Sequence, residues 1–66
     1  MLEIGDRVYI NIPLQAAFLK NAKAKRRYNH KAAQVINIIE DRYLLSVDCG
    51  KFEWDERVLA KLVRRE

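Results

Sequence analysis

The 66-residue chain holds one cysteine, Cys49, and one histidine, His30. At this length a single hydrophobic core barely offsets the entropy of ordering the chain, and domains of this size commonly lean on disulfides or a structural metal. One thiol and one imidazole cannot make an intrachain disulfide or a Cys/His zinc site. Stability must therefore come from close packing of apolar residues, in one domain spanning residues 1–66, or from a partner chain. Composition permits this: 50% of the chain is hydrophobic and 33% charged, the balance of a folded domain. The lone thiol fits a reducing compartment, so a cytoplasmic location is expected. Met1–Asp6 has no basic and then apolar leader pattern, and no apolar run nears the ~20 residues that span a bilayer.

Patterning predicts mostly strands. Arg7-Val8-Tyr9-Ile10-Asn11-Ile12 alternates, with Val8, Ile10 and Ile12 on one face, and Pro13 ends it because it cannot donate to a ladder. Residues 14–27 are good helix formers with Leu14, Ala17, Phe18 and Ala22 in an apolar stripe, which predicts a helical excursion over residues 14–31. Ala32–Ile39 carries apolar residues on both faces, as a bent strand serving two sheets would. Glu40-Asp41-Arg42 reads as a turn and Tyr43–Asp48 as the return strand. Asp48-Cys49-Gly50-Lys51 reads as a tight hairpin turn with Gly50 at positive φ, followed by a strand Lys51–Asp55 that places Phe52 and Trp54 on one face. Residues 56–65 fit two patterns: a helical turn at Glu56–Leu59 followed by a strand Ala60–Val63, or one amphipathic helix capped by Asp55.

The expected fold class is thus mainly β, a small barrel of about five strands with a helical excursion between strands one and two. The alternative is an α+β fold with a C-terminal helix. Gly5-Asp6-Arg7-Val8 opening the first strand, Val35-x-x-Ile38 and Leu45-x-Val47 marking a central hairpin, and Glu56–Leu59 before a fifth strand resemble the SH3-like small barrels. Within that family the order is similar to the KOW-like subtype of ribosomal and transcription-associated proteins, with His30 and Ala33 standing where that subtype usually has glycines. The resemblance implies binding to RNA, DNA or protein segments rather than catalysis.

Charge points the same way. From Arg7 to Ile39 there is no acidic residue, and six of the seven cations in that stretch lie within Lys20–Lys31. A block of like charge repels itself and suits an anionic partner. Lys20, Lys23, Lys25, Arg26, Arg27 and Lys31 are the candidate phosphate ligands, and Tyr28 the candidate platform for an unpaired base, with Tyr9 able to extend it. No base-reading motif accompanies them, so the expected function is electrostatic, weakly specific binding of nucleic acid, RNA or DNA. An alternative is a protein-interaction module using Leu14, Phe18 and Leu19, with the basic run steering an acidic protein surface. Nothing in the pattern supplies a catalytic constellation: Cys49 and His30 fall in turns, Glu40 and Asp41 read as turn residues, and there is no glycine-rich phosphate loop. No enzyme activity, metal, cofactor, small-molecule substrate or membrane partner is expected.

Overall fold

The computed structural model describes residues 2–62. Five antiparallel strands form one sheet in the order β4-β3-β2-β1-β5: β1 is Arg7–Ile10, β2 Ala32–Ile39, β3 Arg42–Leu45, β4 Trp54–Asp55 and β5 Leu59–Lys61. The mainly β class is the expected one, with the excursion between the first two strands. Of the two patterns for residues 56–65, the strand is found: a 3₁₀ turn, Glu56–Val58, leads into β5, which pairs Ile10 with Leu59 and Tyr9 with Ala60. The C-terminal helix is overturned over this stretch: Val58 is buried from the 3₁₀ turn, and Leu59–Lys61 is extended and hydrogen-bonded to β1, with Leu59 buried. Val63, the last residue of the expected strand, lies outside the described residues.

β1 follows its alternation, with Val8 and Ile10 buried and Arg7 and Tyr9 turned outward. β2 has two apolar faces because it has two sets of neighbours. Ala32–Gln34 pair with β1, Val35–Ile39 pair with β3, and the register shifts between Val35 and Asn37. Such a bulge bends the strand. Ala33 and Val35 enter the core, while Ile36 and Ile39 face outward.

The expected helix over residues 14–27 is reduced to one turn, α1 (Ala22–Lys25), followed by a 3₁₀ turn, Arg26–Tyr28. Two features override the helix propensity of this segment. Arg26 donates through Nη2 to the carbonyls of Pro13 and Leu14 at 2.8 Å each, occupying acceptors that a helix would use for Ala17 and Phe18. Asn21 sits in the left-handed region at φ 56°, which breaks any helix running through it. The buried pair is then Ala16 and Leu19, not the expected Leu14–Ala17–Phe18 stripe. At the neck of the excursion, Asn29 Oδ1 accepts the Ile12 N–H at 2.8 Å and the His30 N–H at 3.1 Å. His30 itself takes φ 63°, in the left-handed region.

The tight turn expected at Asp48–Lys51 forms, the Lys51 N–H donating to the Asp48 carbonyl at 3.1 Å, but the strands expected on either side of it are shortened. A 3₁₀ turn, Ser46–Asp48, is followed by Cys49 and Gly50, both at positive φ, and only Trp54–Asp55 pair with β3. The reason is the Asp48 carboxylate, which is buried. It accepts the Gly50 N–H at 3.1 Å, the Phe52 N–H at 3.2 Å and the Trp54 indole N–H at 3.0 Å. Donors that a ladder would satisfy are satisfied by this side chain instead, and Lys51–Glu53 is free to loop outward. Trp54 is fully buried.

An asparagine at position 48 has one acceptor oxygen for three donors. Asp48→Asn is expected to lose about 1–2 kcal/mol and Asp48→Ala about 3 kcal/mol of unfolding free energy. Urea denaturation of the two variants measures this, and midpoints equal to the wild type would show that the carboxylate does not hold the loop.

Candidate functional site

The excursion is attached to the sheet through Trp54, and that attachment sorts the basic run. Lys25 leaves α1 inward and is only 1% exposed. Its Nζ lies 5.3 Å from the centroid of the Trp54 ring and donates to the Glu53 carbonyl. Among the described residues no carboxylate forms an ion pair with it. Burial lowers the Lys25 pKa, and the Arg42 guanidinium adds to this; Asp48, Glu53 and Asp55 act in the opposite direction. Lys25 is therefore not the free phosphate ligand its place in the run suggests, because it is enclosed beneath the surface. Arg26 is likewise half-buried and holds Pro13 and Leu14. Tyr28 is half-buried at the rim of the core, its ring 6.3 Å from that of Trp54 at an interplanar angle of 71°.

The cations left exposed are Lys20, Lys23, Arg27 and Lys31. Among the described residues none of the four has a carboxylate within ion-pairing distance. Lys23 and Arg27 line an open hollow with Asn21 and Ala24. On its other side, Asn21 enters a cleft of about 220 Å³ together with Lys20, Lys25, Arg42, Lys51, Phe52 and Glu53. Asn21 thus lines both basic concavities. Lys31 lines neither concavity.

Arg42 and Lys51 belong to the cleft although they lie far from the basic run in sequence. Arg42 is on β3 and its Nε meets Asp41 Oδ1 at 3.3 Å, with the Asp41 side chain 88% exposed. So exposed a pair is weak, and it leaves the rest of the guanidinium available. Lys51 rides on the loop created by Asp48, with its Nζ 5.5 Å from the Phe52 ring centroid. The cleft carries four cations and one carboxylate, Glu53. In the sequence, Arg42 and Lys51 stand among acids and carry no signal that sets them apart.

The residues expected to form an apolar interaction patch do not come together. Leu14 is 93% exposed, whereas Leu19 is in the core. Phe18 lies beneath the Arg57 guanidinium, whose carbon is 3.9 Å from its ring centroid. Arg57 is fixed in turn by Asp55, which accepts its Nη2 at 2.8 Å, its Nε at 3.1 Å and its backbone N–H at 2.8 Å. Those bonds lower the Asp55 carboxyl from 3.8 to about 2. This latch ties the outer part of the excursion to the 3₁₀ turn before β5.

Tyr9 and His30 pair with each other, hydroxyl to Nδ1 at 3.1 Å, and line neither basic concavity. Cys49 is a free, exposed thiol. Among the described residues no group of three or more His, Cys, Asp or Glu side chains is placed to hold a metal, and no helix is long and apolar enough to cross a membrane. No protein-family model, curated protein or solved structure matches the chain.

Two pH dependences follow. Asp55 has a lowered native pKa, so its contribution is complete above about 3.8 and is lost as pH falls through about 2. The stability gap between the wild type and Asp55→Ala should be flat above pH 4 and narrow from there to pH 2 in acid titration followed by circular dichroism. Lys25 also has a lowered native pKa but is a base, so the native state sheds its proton before the unfolded chain does. The wild type should therefore gain stability relative to Lys25→Met as pH rises towards 10.5, measured as the difference between their denaturation midpoints. A pH-independent difference would contradict the burial of a charged Lys25.

Proposed function

We propose that this protein is a non-catalytic module that binds nucleic acid electrostatically, through the surface of its excursion. The observation that carries the reading is the division within the basic run. Lys25 and Arg26 hold the excursion down, which leaves Lys20, Lys23 and Arg27 exposed without carboxylate partners among the described residues. Arg42 and Lys51 extend the same surface across the cleft. A fixed array of cations with few acids attracts a polyanion and releases its counterions on binding. The absence of a base-reading constellation makes this binding weakly specific. RNA and DNA are both accommodated by this chemistry, and an acidic protein surface is the competing anionic partner.

The element order supports the resemblance to SH3-like barrels: first strand, excursion, three consecutive antiparallel strands, a 3₁₀ turn and a last strand paired back to the first. Under this reading the protein is a binding domain rather than an enzyme, and its exposed thiol suits a reducing, cytoplasmic setting.

Anisotropy titrations against labelled single-stranded RNA, single-stranded DNA and duplex DNA test the reading. Three to five engaged cations give a slope of log affinity against log salt of roughly −2 to −3.5 on a single strand. Lys23→Gln/Arg27→Gln should weaken binding roughly ten- to fifty-fold at about 50 mM salt and make the slope shallower by roughly 1–2. Absence of binding to every strand at low salt would overturn the proposal, as would affinity that ignores both salt and the double substitution.

A further inference from the structure

The cleft between the excursion and the β3–β4 side of the sheet differs in kind from the open hollow beside it. Its volume of about 220 Å³ is below the roughly 300–1,000 Å³ that takes a whole small-molecule ligand, so it suits one group of a larger ligand. Its cations come from three separate parts of the chain: Lys20 from the excursion, Arg42 from β3 and Lys51 from the loop held by Asp48. Convergence of this kind arises from folding and not from a local run of charge. Beneath them, Lys25 contributes a buried ammonium with no ion pair among the described residues. An anion in the cleft would oppose that charge. The Arg42 guanidinium supplies a planar donor fork that matches phosphate oxygens, and Lys20 and Lys51 act as point charges beside it. Phe52 forms part of the wall, and an aromatic wall beside a phosphate site is useful to a strand whose bases are unstacked.

We propose that this cleft is a phosphate site with Arg42, Lys51 and Lys20 as its ligands, and that its occupant is one backbone phosphate of a single-stranded nucleic acid. The occupant rests on the nucleic-acid reading above; the phosphate chemistry of the cleft does not. Glu53 is the one carboxylate in the lining and opposes binding, so its removal has a predicted sign.

The first arm of the test is a ¹H–¹⁵N shift titration with inorganic phosphate, at ionic strength matched with chloride. Shifts are expected to concentrate at Asn21, Arg42 and Lys51–Glu53, to disappear in Arg42→Gln/Lys51→Gln, and to saturate at lower phosphate in Glu53→Gln. Shifts spread evenly over Lys23, Arg27 and Lys31, or an unchanged response in the double variant, would overturn the site. Lys51→Gln alone gives the same test if the Arg42 substitution disturbs folding. The second arm uses an eight-nucleotide single-stranded RNA and a duplex of equal length. The double variant should lose roughly tenfold or more in affinity for the single strand, and less for the duplex. Equal single-strand affinity in wild type and variant overturns the cleft and leaves the wider reading standing. Phosphate uptake by the cleft with no strand bound overturns the nucleic-acid occupant and that reading with it.

Discussion

A buried indole holds two otherwise separate parts of this chain together. Trp54 is fully enclosed, its N–H is given to the Asp48 carboxylate, its edge meets Tyr28 and an ammonium, that of Lys25, lies over its ring. Asp48 belongs to the turn after β3, while Lys25 and Tyr28 belong to the excursion. Trp54 is the side chain that both parts contact. The two-residue β4 sets this side chain opposite Tyr43. A chain with no staple in its covalent chemistry obtains part of its cohesion from this junction.

The same junction determines which charges face solvent. A run of six cations folded as a regular helix would distribute them around the axis. Here one is enclosed and another is bound to two backbone carbonyls, so the exposed set is smaller and more directional. The Asp55–Arg57 latch over Phe18 acts from the other side of the excursion. Ordering these cations before a partner arrives reduces the entropy lost on binding, which favours a surface that is already in place. Arg42 completes it from β3, and Lys51 from the loop held by Asp48.

Much of the sheet was legible from local pattern, because β-strand alternation is a direct consequence of one buried face. Val8 and Ile10 announced β1, and the two-faced apolar run of β2 matched a strand that changes neighbours at a bulge. The turn before β5 is only one of two patterns that residues 56–65 fit, the other being a helix capped by Asp55, and the pairing of Leu59 and Ala60 with β1 decides between them. The excursion was not legible. Residues 14–27 score as helix by propensity, but propensity takes no account of Arg26 capturing the carbonyls of Pro13 and Leu14, or of Asn21 in the left-handed region. Nothing in the sequence separates Lys25 from the other cations of the run, since lysines are rarely enclosed; only the tertiary position of Trp54 gives its stem and ammonium a place inside. Arg42 and Lys51 were invisible for the complementary reason. Each sits among acids in sequence, and the fold alone brings them beside Lys20.

The excursion is fixed to the sheet through Trp54, so that its cations form a standing surface. Native-state hydrogen exchange tests this most directly. The Trp54 indole N–H and the amides of Lys25 and Asn29, bonded to Asn21 and Arg26, should exchange with opening free energies close to those of Ile10 and Val35 in the core strands. Exchange of Lys25 and Asn29 at unprotected rates, while Ile10 and Val35 stay protected, would mean that the excursion opens on its own and would contradict the account.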